Sequence, residues 1–183
     1  MRIAPLAFVL DPLAVENRVV YRDVCRITHH HDEAYLGALA VAIVLNLPEE
    51  ILLPGWDRVI EQLPDSQIRD RLVEMRDAPP GMTLAEAAGR FGASGFVVET
   101  VPLAMLAAAR MVSHSMESVI AELVRIGGDI DTIASIAGQI AGVRLGLSGL
   151  PASAVAMACV QECLPIFERF VELVTKNAKQ NQS

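Results

Sequence analysis

The sequence predicts an all-α domain built as a compact multi-helix bundle, and three observations predict it. Hydrophobic residues make up 52% of the 183 residues but aromatics only 4%. Ala, Leu, Ile and Val therefore supply the apolar surface, a mix that suits closely packed helices better than a β-sandwich. Apolar residues also recur at helical spacing, as in Ala34, Gly37, Ala38, Val41, Ala42 and Leu45. No stretch shows the clean alternation of a half-buried strand. The length favours a single domain over residues 1–183.

The elements follow in order. Ala4 to Val20 mixes apolar residues with two prolines and reads as a short helix. Val24 to Thr28 reads as a helix end leading into His29-His30-His31. Asp32 to Leu47 carries the apolar stripe above, and Pro48 stops it. Glu49 to Leu63 holds the only tryptophan, Trp56, and is split by Pro54-Gly55. Asp65 to Met75 places Ile68, Leu72 and Met75 on one helical face. Ala78-Pro79-Pro80-Gly81 is the clearest loop.

Thr83-Leu84-Ala85-Glu86 spells a capping box, with Thr83 as N-cap and Glu86 three residues on. That helix ends near Gly92-Ala93-Ser94-Gly95. The next carries Pro102 early and runs to about Val112. Ser113 to Ser115 can cap Met116 to Ile126, and Gly127 closes that helix. Thr132 to Leu147 follows. Ala152 to about Lys176 is helical again, interrupted by Pro165, and the polar end over 177–183 is expected to fray.

Composition excludes several function classes. A net charge of −7 without any basic run argues against nucleic acid as a partner, because phosphate contacts need clustered Lys and Arg. A membrane span needs about 20 apolar residues. The best candidate, Phe96 to Val112, is broken by Glu99, Pro102 and Arg110, and no signal peptide is visible. Cys25, Cys159 and Cys163 form no disulfide framework and read as reduced, buried and cytoplasmic.

The chemistry concentrates in Gly127-Gly128-Asp129-Ile130-Asp131-Thr132. Two glycines end one helix, and two carboxylates and a hydroxyl open the next. Carboxylates at i and i+2 beside a third hard oxygen suit Mg²⁺ or Mn²⁺. An Asp N-cap following a Gly C-cap explains the same residues without a metal, and spacing alone leaves both readings open. Behind the motif, Ala134, Gly138, Gly142 and Gly146 recur every four residues. Glycine in a helix costs about 1 kcal/mol relative to Ala, so this stripe predicts that another backbone packs closely against it, making this the central helix of the bundle. Three consecutive histidines cannot all face one zinc ion from a helix. The Gly92–Gly95 turn has the composition of a phosphate-binding turn, or of a plain connection. Glu99 reads as a second acid or as the partner of an arginine.

The string GGDIDTIASIAGQIAGVRLG, ending at Gly146, resembles the C-terminal signature of the ADP-ribosylglycohydrolase family, which includes the dinitrogenase reductase-activating enzymes. Three further stretches resemble it in the same order: Met1-Arg2-Ile3-Ala4-Pro5-Leu6; Ile27-Thr28-His29 with Glu33-Ala34 and Gly37-Ala38; and Gly95-Phe96-Val97-Val98-Glu99-Thr100-Val101. The resemblance implies an all-α orthogonal bundle and a hydrolase that cleaves a glycosidic bond of ADP-ribose on a protein side chain or small molecule. It implies Asp129, Asp131 and Thr132 as metal ligands, with Asp129 and Asp131 catalytic, and His29, Gly95, Phe96 and Arg2 as substrate contacts. The cofactor it implies is Mg²⁺ or Mn²⁺, binuclear in a complete member. In the family a Thr-Asp-Asp run supplies the rest of that site, and no Asp-Asp pair occurs here. The chain is accordingly expected to be the C-terminal part of such an enzyme, and a non-catalytic structural or binding relative is the alternative.

Overall fold

The computed structural model describes residues 2–180. Among the described residues there are eleven helices and no strand, as the composition predicted. The chain divides into two compact units, Met1–Leu145 and Gly146–Ser183.

The first unit holds nine helices. Helix α1 (Ala4–Ala7) and α2 (Arg18–Arg26) are separate elements, not one helix over Ala4 to Val20. Asp11-Pro12 breaks the run: the Asp11 side chain accepts a hydrogen bond from the Leu13 N–H at 2.8 Å, a local turn that competes with helix. Helix α3 (Asp32–Leu45) is the most deeply buried element, from Leu36 to Leu45 almost without interruption. The Asn46 side chain closes it and donates to the Ala7 carbonyl at 2.8 Å, tying α1 to its end. Helix α4 (Trp56–Ile60) and α5 (Gln67–Arg76) follow, then α6 (Leu84–Phe91), α7 (Val97–Ser113), α8 (Met116–Ile126) and α9 (Ile130–Leu145).

The local signals hold where they were clearest. Thr83 and Glu86 make both halves of the capping box. Ser115 accepts from the Ser118 N–H at 3.1 Å and starts α8. Gly127, at φ 80°, ends it. Glu33 is a buried carboxylate that the sequence did not flag. Its two oxygens accept the N–H groups of Gln67 and Ile68 at 2.9 and 3.0 Å, so the start of α3 caps the start of α5.

Helix α7, not α9, is the hub. It packs on α3, α5, α6, α8 and α9, and its contact with α9 is the most extensive in the unit. Ala104, Ala107 and Ala108 on α7 and Ala137 and Ala141 on α9 are fully buried, which lets the two helices approach closely. The glycine stripe is not that contact. Among the described residues, nothing lies within 4 Å of a Cβ built on Gly138 or Gly142, and Gly146 lies beyond the helix end. The buried face of α9 is instead Ile133, Ile136, Ala137, Ile140 and Ala141.

The second unit contains a 3₁₀ turn, a short helix α10 (Ala152–Val155) and α11 (Ala158–Gln180). Pro165 sits inside α11, so the helical stretch breaks at residues 156–157 and not at the proline. Helix α11 continues to Gln180; the remainder of the stretch expected to fray, 181–183, lies outside the described residues. Cys159 and Cys163 are exposed and Cys25 is half-buried, so the expectation of three buried thiols fails. No helix among the described residues is long and apolar enough to cross a membrane.

Two glycine substitutions test this packing. Gly142→Ala should raise stability by up to about 1 kcal/mol, since a methyl there meets open space and gains helix propensity. Gly37→Ala should lower it by about 1–3 kcal/mol, because its Cβ would run into Val97 of α7. Urea unfolding of both variants decides; a destabilised Gly142→Ala would restore the close-contact reading.

Candidate functional site

A cavity of about 420 Å³ opens in the first unit. It forms where the end of α2, one face of α3, the first turns of α7 and the first turns of α9 meet. Val24, Val41, Val97, Val101 and Ile136 make most of its wall apolar. Its polar groups come from distant parts of the chain: Arg2, Thr28, His29, Thr100, Thr132 and Gln139. Gly95 completes the rim between α6 and α9.

The Asp-rich turn is fixed by backbone geometry. Gly127 and Gly128 both take positive φ, at 80° and 90°. The Asp129 N–H then donates to the Ala93 carbonyl at 2.8 Å, and the Asp129 carbonyl accepts from the Ile133 N–H at 3.1 Å as the first bond of α9. A Cβ on Gly128 would strike the Ala93 carbonyl, so only glycine allows the two loops to meet. The Asp131 carboxyl is held below its ordinary value of 3.8, first by a hydrogen bond with the Asp129 carboxyl and then by the N–H groups of Asp131 and Thr132. The two carboxyl groups therefore converge at the start of α9. The Asp129 carboxylate also lies against Gly95: a Cβ there would come within 2.9 Å of its Oδ2 atom.

This donor set fits a hard divalent cation. Two converging carboxylates repel one another when both are ionised. A cation would relieve that repulsion, and the Thr132 hydroxyl adds a third oxygen. Mg²⁺ commonly binds through one or two carboxylates and completes its shell with water or ligand oxygens. Among the described residues no third acid, histidine or cysteine joins the pair.

The Gly92–Gly95 turn is held from within. Glu99, in the first turn of α7, accepts the Ser94 N–H at 2.9 Å and the Ser94 hydroxyl at 2.6 Å. Those two bonds hold its carboxyl below its ordinary value; the Arg71 charge contributes least. Ser94 Oγ accepts the Phe96 N–H at 3.2 Å, and Thr100 donates to the Ser94 carbonyl at 2.7 Å. Glu99 thus finds a serine where the sequence suggested an arginine. The N–H groups of Ser94 and Phe96 are already used, which removes half of the argument for this turn as a phosphate cradle.

The expected site residues divide. Arg2, His29, Gly95 and Thr132 line the cavity, and Asp129 borders it through its contact with Gly95. Asp131 reaches the group through Asp129. Phe96 does not line the cavity. It turns to a separate depression of about 220 Å³ with Gln67, Asp70 and Arg71, because its neighbours Gly95 and Val97 already fill the cavity side. Of the three histidines, only His29 lines the cavity, with Nδ1 2.8 Å from the Thr28 hydroxyl. His31 caps α3 by accepting the Glu33 N–H at 3.1 Å. Gln139 and Cys25 line the cavity without having been singled out. Gln139 was findable: Thr132, Ile136 and Gln139 follow the i, i+4, i+7 face of one helix.

The meeting of the two loops gives a stability test. Gly128→Ala should cost at least about 2 kcal/mol, from the positive φ and the collision with Ala93 together. Chemical denaturation measures it, and a wild-type midpoint would show that the loops do not meet as described.

Two comparisons with known proteins bear on this geometry. Residues 1–180 match the family model described as ADP-ribosylglycohydrolase. A search of curated proteins gives no match.

Proposed function

The chain belongs to the ADP-ribosylglycohydrolase family, and from that premise we propose that it is a metal-dependent hydrolase cleaving the glycosidic bond between ADP-ribose and a protein side chain or a small molecule. One observation carries the reading. The Asp129–Asp131 carboxyl pair stands at the edge of the cavity whose wall holds Gly95 and Thr132. On this reading a metal held by the pair would stand next to a substrate in the cavity.

Asp129, Asp131 and Thr132 would hold Mg²⁺ or Mn²⁺. A cation bound there would orient ribose hydroxyls and a water, and offset charge as the glycosidic bond breaks. The protein's own groups divide the remaining work. Asp131, held below the ordinary carboxylate range, is ionised at neutral pH and accepts hydrogen bonds from substrate hydroxyls or water. Arg2 and His29 offer donors to the anionic part of the substrate, with Arg2 suited to bidentate phosphate contacts. Val97, Val101 and Ile136 keep one wall dry, which strengthens each polar contact beside it. The arrangement asks for no covalent nucleophile.

The second reading, a binding relative without turnover, is favoured by one observation: among the described residues only two carboxylates converge. Isothermal titration with Mg²⁺ and release of ADP-ribose from a modified protein separate the two. With three protein oxygens, Mg²⁺ should bind this chain in the millimolar range. Asp129→Asn should remove most ADP-ribose release while leaving the fold intact, since an amide still caps a helix. Gly95→Ala should leave the melting temperature nearly unchanged, because only a side-chain oxygen must move, yet impair release about as strongly. Binding of ADP-ribose without turnover, unaffected by Asp129→Asn, would support the non-catalytic reading.

A further inference from the structure

We propose that Glu99 is a positioning residue for the Asp129 carboxylate, acting through the Gly92–Gly95 turn without touching substrate or cation itself. The inference rests on the metal-site reading of Asp129 and adds a residue to it.

The chain of contacts is continuous. Glu99 sits in the first turn of α7, a helix anchored on five neighbours. Its carboxylate takes both donors of Ser94, the N–H and the hydroxyl, at 2.9 and 2.6 Å. It also lies so close to Gly92, at φ 91°, that any Cβ there would collide with it. Ser94 is therefore hydrogen-bonded to this side chain, and Gly92 packs against it. Between Gly92 and Ser94, Ala93 presents its carbonyl to the Asp129 N–H at 2.8 Å, and Gly95, the next residue along, packs on the Asp129 Oδ2 atom. The backbone and the side chain of Asp129 are thus both set by a turn whose shape Glu99 determines.

Other uses of this carboxylate are weaker. It lines the smaller depression beside Phe96 and not the 420 Å³ cavity, so it does not meet a substrate held in that cavity. Arg71 lies near, but directs its own bonds to the Phe91 carbonyl at 2.5 Å and to Glu74 at 2.9 Å. An ionised carboxylate accepting an N–H and an O–H together makes stronger bonds than neutral groups would. Such an acceptor suits a part that must hold a loop to within fractions of an ångström. Groups that orient a metal ligand from behind typically change metal affinity by about 10–100-fold when removed.

The test is Mn²⁺ titration of the full chain, followed by the electron paramagnetic resonance of free Mn²⁺, with hydrogen exchange at the Asp129 amide as a second readout. Glu99→Ala should weaken Mn²⁺ binding by about tenfold and speed exchange at the Asp129 amide while core amides of α3 stay protected. Glu99→Gln, whose amide oxygen still accepts from Ser94, should recover most of the affinity; a merely electrostatic role would give no such rescue. Should Glu99→Ala fail to fold, Ser94→Ala decides, since it removes the hydroxyl's bonds to Glu99 and from the Phe96 N–H while the Ser94 N–H still reaches Glu99: weaker Mn²⁺ binding supports the proposal, and unchanged binding overturns it. Unchanged Mn²⁺ affinity in a folded Glu99→Ala, beside lost affinity in Asp129→Asn, overturns the positioning role and leaves the metal site standing. Unchanged affinity in Asp129→Asn overturns the metal-site reading and the role of Glu99 with it.

Discussion

One hydrogen bond, from the Asp129 N–H to the Ala93 carbonyl, joins the loop before α7 to the loop before α9. Its net worth is only about 1 kcal/mol. Its importance is geometric. It sets the register between the first turns of two helices that then share the largest contact in the unit, through buried alanines and isoleucines. Packing supplies the energy, and the loop contact decides which residues end up opposite one another. Gly128 is what permits it, because any side chain would occupy the space of the Ala93 carbonyl. The cavity and the carboxyl pair both lie at this junction, so a shift of one loop would separate Gly95 from Asp129.

Short-range signals were legible in the sequence because their physics is short-range. The Thr83–Glu86 box, the Ser115 cap and the Gly127 stop each involve residues within four positions of one another, and each forms as read. The glycine stripe of α9 was a different kind of inference. Small residues permit a close approach but do not require one. Ala137 and Ala141, one step around the helix, serve that purpose with better helix propensity. Which helix is the hub also depends on partners far along the chain. Pro102 and Glu99 made α7 look like a broken apolar stretch, yet it is the element that five others surround.

The site was legible to a different degree. Arg2, His29, Gly95 and Thr132 come from four segments, and no periodicity could have gathered them; a resemblance to a known family did, and the cavity holds all four. Phe96 faces the separate depression, because adjacent residues entering a helix point in different directions, and Gly95 and Val97 on either side of it line the cavity. Glu99 was read as a second acid or an arginine's partner, and Glu33 was given no role of its own. A carboxylate in a mostly apolar helix reads as a pairing or catalytic group. Both instead accept main-chain N–H groups whose identity only the fold reveals.

The two readings of the Asp-x-Asp-Thr turn, helix cap and cation site, were framed as alternatives, but they do not exclude one another. The Asp129 carbonyl opens α9, and Asp131 accepts N–H groups in its first turn. Those donors, with the positive end of the helix dipole, stabilise carboxylates that would otherwise repel each other. The same stabilisation works against affinity, because a carboxylate already satisfied by N–H groups gains less from a cation. A cation held there, as proposed above, would exchange readily and take part of its oxygen shell from water or substrate. That behaviour would suit the proposed hydrolase, in which the cation must meet a new substrate at each turnover, better than a permanent structural site.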